Sequence, residues 1–127
     1  MKEEITVTLD DLAQQIAALD VLHINIPNMI DTPYTISPVV LVDQQYYFEY
    51  QWNIRQQRCY LSVFKTHDNQ RIYYVKNRVL LNGLEVSRYI KETDWVGTLY
   101  FESVSDSYGE DYNQNDISEK FVLTFTS

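Results

Sequence analysis

Two histidines, one cysteine and a stretch of acids and amides between 105 and 118 are the residues of this 127-residue chain whose types suit catalysis or metal binding. His23 and His67 have no second ligand at metal spacing, and His67 sits beside Asp68 in what reads as a solvated turn. Cys59 falls in an expected half-buried strand with no Arg or His pattern set by the sequence to activate it, so it reads as a small core residue rather than a nucleophile. Being alone, it permits no internal disulfide and no cysteine-based zinc site. Asp106, Glu110, Asp111, Asn113, Asn115 and Asp116 are hard oxygen donors that make calcium conceivable. Their spacing does not fit an EF-hand loop, because Tyr108 and Glu110 fall where short oxygen ligands belong. A solvated loop, or one ordered against a partner, is the favoured reading. Glu110 and Asp111 are adjacent and need not face one cleft, which leaves a glycosidase pair unsupported. The chain holds no Gly-rich phosphate loop, G-x-S-x-G elbow or H-E-x-x-H motif. We expect no catalytic residues, no metal and no cofactor.

The elements that position these residues change character along the chain. Leu9, Leu12, Ile16 and Leu19 recur at helical spacing, with Thr8 and Asp11 as a capping signal, which predicts a short amphipathic helix over about 9–20. Three turns are marginal alone and need a surface to dock on. From Val21 the period becomes two. Strands are expected at His23–Ile26, Thr35–Val42, Tyr46–Trp52, Cys59–Lys65, Arg71–Val75, Arg78–Leu81, Val96–Ser103 and Phe121–Thr126. Pro33 and Pro38 push the second of these towards a sheet edge. Turns are expected at Asp43-Gln44-Gln45, His67-Asp68-Asn69 and Asn82-Gly83, and Leu84–Tyr89 has the pattern of a helical turn. The chain therefore divides into an N-terminal arm, residues 1–22, and a β domain, residues 23–127. The fold class is mainly β: a small antiparallel barrel or sandwich.

Charge and aromatic content narrow the function classes. Eighteen acids against ten bases give a net charge of -8, but residues 1–49 and 92–119 are acidic while residues 55–78 are basic. Acidic flanks disfavour a nucleic-acid partner. Segregated charge can orient assembly, or can be the ordinary solvated charge of strands. Eleven tyrosines among 14% aromatic residues suit half-buried sheet faces and protein contacts alike. No apolar run reaches the roughly 18 residues of a membrane span, and Met1-Lys2-Glu3-Glu4 is too acidic for a signal peptide.

From Ile26 to Thr126 the order of elements resembles the baseplate plug proteins of contractile phage tails, a family first defined in a cyanophage. The resemblance is carried by Ile26-Pro27, Tyr46 to Trp52, Cys59-Tyr60-Leu61-Ser62-Val63 and the turn His67 to Gln70. It continues through Val79 to Val86, Gly97-Thr98-Leu99 and the closing stretch Asn115 to Phe125. Cys59, Ser62, Asn69-Gln70 and Ser118 depart from the family pattern, as befits a distant member, and the first 20 residues lie outside it. The resemblance implies a structural, non-enzymatic role near the tail axis in the virion baseplate, made in the host bacterial cytoplasm. It implies contact with hub, tail tube or spike proteins, in three or six copies. Leu9, Leu12, Ile16 and Leu19, the basic pair Arg55 and Arg58, and the acids Glu110 and Asp111 are the candidate partner contacts. The alternative is a carbohydrate- or peptide-binding module using Tyr46, Tyr47, Tyr50, Trp52, Tyr73 and Tyr74 as a stacking surface.

Overall fold

The computed structural model describes residues 21–105 and 111–127. The expected N-terminal helix, with Leu9, Leu12, Ile16 and Leu19, lies outside them, as do Asp106 and Glu110. Eight strands follow in order: β1 (Leu22–Asn25), β2 (Tyr34–Leu41), β3 (Gln44–Asn53), β4 (Arg58–His67), β5 (Gln70–Val79), β6 (Leu84–Glu85), β7 (Thr98–Ser103) and β8 (Phe121–Thr126). One helical turn, α1 (Ile117–Lys120), leads into β8. They form two antiparallel sheets of four strands, ordered β1-β8-β7-β6 and β2-β3-β4-β5. The mainly β expectation holds, and the first strand starts one residue before the expected domain boundary.

The second sheet is a meander built by its turns. Val42 and Asp43 have φ of 49° and 63°, and Asp68 and Asn69 have 52° and 63°, so each pair forms a two-residue turn whose twist matches the strands it joins. The first turn lies one residue earlier than expected, with Val42 in the left-handed region that β-branched residues avoid. Along β3, Tyr46, Phe48, Tyr50 and Trp52 point into the core while Tyr47, Glu49 and Gln51 point out.

β5 is one ten-residue strand where the sequence predicts two pieces. Two irregularities in its pairing with β4 account for the difference: Leu61 faces Arg78, Val63 faces Val75, and Phe64 faces Tyr73. Each shift inserts an extra β5 residue. Tyr74 and Val75 are consequently both buried, and Asn77 takes φ of 51°. The buried Ser62 hydroxyl accepts a 2.9 Å bond from the Asn77 N–H, satisfying the donor that the bulge takes out of the ladder.

β2 is an edge strand, as its prolines require. The Pro33 carbonyl accepts from Trp52 N–H at 2.8 Å, and the two-residue turn sets Leu41 opposite Gln44. Antiparallel pairs alternate, so odd-numbered β2 residues bond to β3 while Tyr34, Ile36, Pro38 and Val40 turn their backbone groups outward. Pro38 therefore sits where its missing N–H costs the ladder nothing.

Both sheets contribute to one core, including Ile24, Phe48, Leu61, Leu99, Phe101, Leu123 and Phe125. Two aromatic residues outside the strands join the layers. Trp95 packs against Tyr46 and Tyr74 of the second sheet and Phe125 of the first. Tyr112 does the same between Trp52 and the stacked pair Phe101–Phe121. The Tyr112 hydroxyl donates to Leu80 C=O at 2.7 Å and accepts from Cys59 N–H at 3.0 Å, next to the Leu80 N–H to Cys59 C=O bond. It thus extends the β4–β5 ladder beyond the last strand pair.

Candidate interaction surface

Of the described residues that the sequence marks for chemistry, Cys59, Asn113, Asn115 and Asp116 are held in structural contacts. Cys59 is fully buried, and desolvation pushes its thiol up to about 12, which removes the thiolate a nucleophile needs. His67 is exposed at the end of β4, 3.3 Å from Asp68 of the two-residue turn that follows. Among the calcium candidates, Asn113 and Asp116 cap one another: Asn113 N–H donates to Asp116 Oδ1 at 2.8 Å and Asp116 N–H to Asn113 Oδ1 at 3.1 Å. Asn115 also donates its N–H to Asn113 Oδ1, and Asp116 lies 3.2 Å from Lys120. These bonds order the turn before α1, while the Asp116 side chain makes no capping bond into the helix itself.

Two of the candidate partner contacts meet each other. Arg58 Nη2 lies 3.1 Å from Asp111 Oδ2, and the Arg58 guanidinium sits 5.5 Å from the Tyr112 ring centroid. The pair fastens the segment after residue 110 to the start of β4. Arg55 is exposed in the loop between β3 and β4, apart from that pair. Arg71–Glu49 at 3.3 Å and Lys65–Asp94 at 4.0 Å likewise join the basic middle of the chain to its acidic flanks. The segregated charge of the sequence is in part folded against itself, which linear charge counting did not reveal.

The aromatic stacking surface expected from the sequence divides between two faces. Tyr46, Tyr50, Trp52 and Tyr74 are core residues. Desolvation raises the hydroxyl pKa of Tyr46, Tyr50 and Tyr74 above the usual tyrosine value. Only Tyr47 and Tyr73 remain on the outer face, where they flank Phe64 with ring centroids 5.4 Å away on each side. Phe64 is 2% exposed although it points away from the core. Its cover is completed by Arg71, whose guanidinium lies 4.4 Å from the ring centroid.

Arg71 anchors a network on that face. It donates to Tyr73 Oη at 3.1 Å and to Glu49 Oε2 at 3.3 Å, contacts that hold its pKa above the ordinary arginine value. Tyr34 donates its hydroxyl to the same Glu49 oxygen, and this bond raises the Tyr34 pKa. Lys76 lies 5.0 Å from the Tyr73 ring centroid. No local motif announced this patch. Only the alternation of β3 and the Phe64–Tyr73 pairing across the bulge bring it together.

Beside the patch lies an open cleft of about 320 Å³ lined by Gln51, Trp52, Asn53, Tyr60 and Asn77. A smaller one of about 150 Å³ has Tyr74, Val75, Lys76, Arg78, Val86, Tyr89 and Ile90 in its walls. Amides and a phenol can hydrogen-bond a ligand but supply no general base near neutral pH. No group of three or more His, Cys, Asp or Glu side chains among the described residues is placed to hold a metal ion. No helix among them is long and apolar enough to cross a membrane.

The described residues form a mainly β fold of two antiparallel four-stranded sheets. No protein-family model matches the chain, and comparison with curated proteins finds no match.

Proposed function

We propose that this protein is a structural component of a phage or phage-derived contractile-tail baseplate, a plug-like domain near the tail axis that contacts hub, tube or spike. The observation that best supports the reading is the outer-face network of Tyr34, Glu49, Arg71, Tyr73 and Tyr47 around Phe64. Tyrosine and arginine are the residues that protein interfaces favour, because each offers area and hydrogen bonds together. Here their side chains are already held by one another before a partner arrives, which lowers the ordering cost of contact. The order of elements from Ile26-Pro27 to the closing strand is the second support.

In this reading the two sheets pack as a sandwich, which is supported by each sheet keeping two edges among the described residues. The arm preceding β1 docks its Leu9, Leu12, Ile16 and Leu19 face on a neighbouring subunit, and the copies follow tail symmetry as three or six. A contact of many modest interactions releases when the baseplate rearranges, which one deep pocket would resist. The test is deletion of residues 1–20. The truncated protein is expected to fold but to be absent from assembled particles, and normal incorporation refutes the reading.

A carbohydrate-binding role remains the second reading, moved from the aromatic surface to the amide-lined cleft of Gln51, Asn53, Tyr60 and Asn77, whose side chains suit neutral hydroxyls. Binding on a glycan array that Tyr60→Ala abolishes would favour it over the plug.

A further inference from the structure

We propose that the outer edge of β2 is a self-pairing edge: two copies of this chain join β2 to β2 antiparallel, about a two-fold axis at Ser37, making one continuous eight-stranded sheet. The inference is independent of the baseplate reading. It rests on which backbone groups face outward. Tyr34, Ile36 and Val40 direct N–H groups away from β3, and those three with Pro38 direct carbonyls the same way. No strand among the described residues pairs with that edge.

These groups are self-complementary in one register. With Ser37 opposite Ser37 of the second copy, Tyr34 N–H meets the Val40 carbonyl, Val40 N–H meets the Tyr34 carbonyl, and Ile36 N–H meets the Pro38 carbonyl. Every outward donor of both strands finds an acceptor. Only the Ile36 carbonyl, facing the proline nitrogen, stays unfilled by the ladder. Shifting the register by two residues either way carries a donor of each copy beyond the end of the strand. Proline, usually a guard against edge pairing, here costs one bond per copy in that register without forbidding it.

Side chains agree with the backbone. The strand YTISPVVL carries no charge, so it lacks the lysine or glutamate that would repel a second copy. Tyr34 is 51% exposed and Val40 61% exposed, and in this register each covers the other across the interface while Ile36 meets Pro38. A cross-strand apolar pair on an antiparallel sheet is stabilising and loses its exposure on pairing.

A Ser37→Cys variant tests both the dimer and its register. Residues directly opposite in a pair that exchanges no hydrogen bonds have Cα atoms about 4.5 Å apart, inside the range a disulfide spans. Under oxidation Ser37→Cys is expected to form an intermolecular disulfide. Val40→Cys, although more exposed, is expected to form none, since its counterpart lies six residues, about 20 Å, along the ladder. Cys59 is buried and does not compete. Ile36→Pro, which removes an outward N–H without touching the β2–β3 ladder, is expected to leave the circular dichroism unchanged. It is expected to weaken dimerisation measured by sedimentation about tenfold or more, from the loss of two interchain bonds. Because each copy carries a charge of -8, added salt is expected to strengthen the dimer. Equal cross-linking of both cysteine variants overturns the proposal, as does a dimer that dissociates as salt rises. A strictly monomeric protein overturns it too. If that monomer already protects the Tyr34, Ile36 and Val40 amides from exchange, the edge is filled by the chain's own residues. If protection appears only with another baseplate protein, the occupant is a partner's strand.

Discussion

Replacing Tyr112 with phenylalanine removes one oxygen atom and leaves the ring contacts with Trp52, Phe101 and Phe121 in place. That oxygen accepts from Cys59 N–H and donates to Leu80 C=O, and Tyr112 is buried. Neither backbone group gains water when the hydroxyl goes. An unsatisfied buried donor or acceptor costs about 1–3 kcal/mol, and the carbonyl is the cheaper of the two, so the pair together costs about 2–4 kcal/mol. A domain of this size is stable by roughly 5–15 kcal/mol, which makes this a large fraction. With a urea slope of about 1–3 kcal/mol/M, the unfolding midpoint should fall by about 1–2 M with the slope unchanged. Tyr47→Phe, which loses only an exposed bond from Gln45, is the control and should change stability by less than about 0.5 kcal/mol. A Tyr112→Phe midpoint within error of the parent would show that this hydroxyl does not extend the β4–β5 ladder.

Three other outcomes follow from the same geometry. Cys59 and Tyr112 are both raised to about 12 in the fold, from 9.0 and 10.0, so folding favours their neutral forms. Their contribution is intact below about pH 9 and is lost as pH rises towards 12, so urea midpoints should fall across that window. Cys59→Ala should make the decline shallower, and a midpoint flat from pH 9 to 12 would contradict it. Gly97→Ala places a methyl 2.3 Å from the Thr126 carbonyl oxygen and 2.7 Å from the Phe125 ring, so backbone must move. Thermal unfolding should show a loss of about 1–3 kcal/mol, and an unchanged transition would mean that β7 and β8 part easily there. Deletion of residues 1–20 should leave the two-sheet circular dichroism spectrum while excluding the protein from particles.

Much of the fold was legible because period-two patterning is a local signal. The aromatic alternation of β3, the returning strand β4 and the edge position of β2 were read from residues within a few positions of each other. β5 was misread as two strands because its bulges put Tyr74 and Val75 on the core side in succession, breaking the period on which the reading relied. The first turn was displaced because Val42 adopts a conformation that its side chain disfavours. The surface was less legible still. Alternation gives two faces without saying which is inside, so core tyrosines and surface tyrosines looked alike. Arg58 and Asp111, marked as partner contacts, pair across 53 positions, a distance no sequence window spans.

We propose that this domain acts by contact within a baseplate. The most direct test is the mass of the purified protein, alone and mixed with the hub protein of the same particle. A discrete complex of trimeric or hexameric stoichiometry with the hub is expected, weakened by Arg71→Glu on the outer face. A protein whose mass is the same with and without the hub would contradict it and direct attention to the amide-lined cleft.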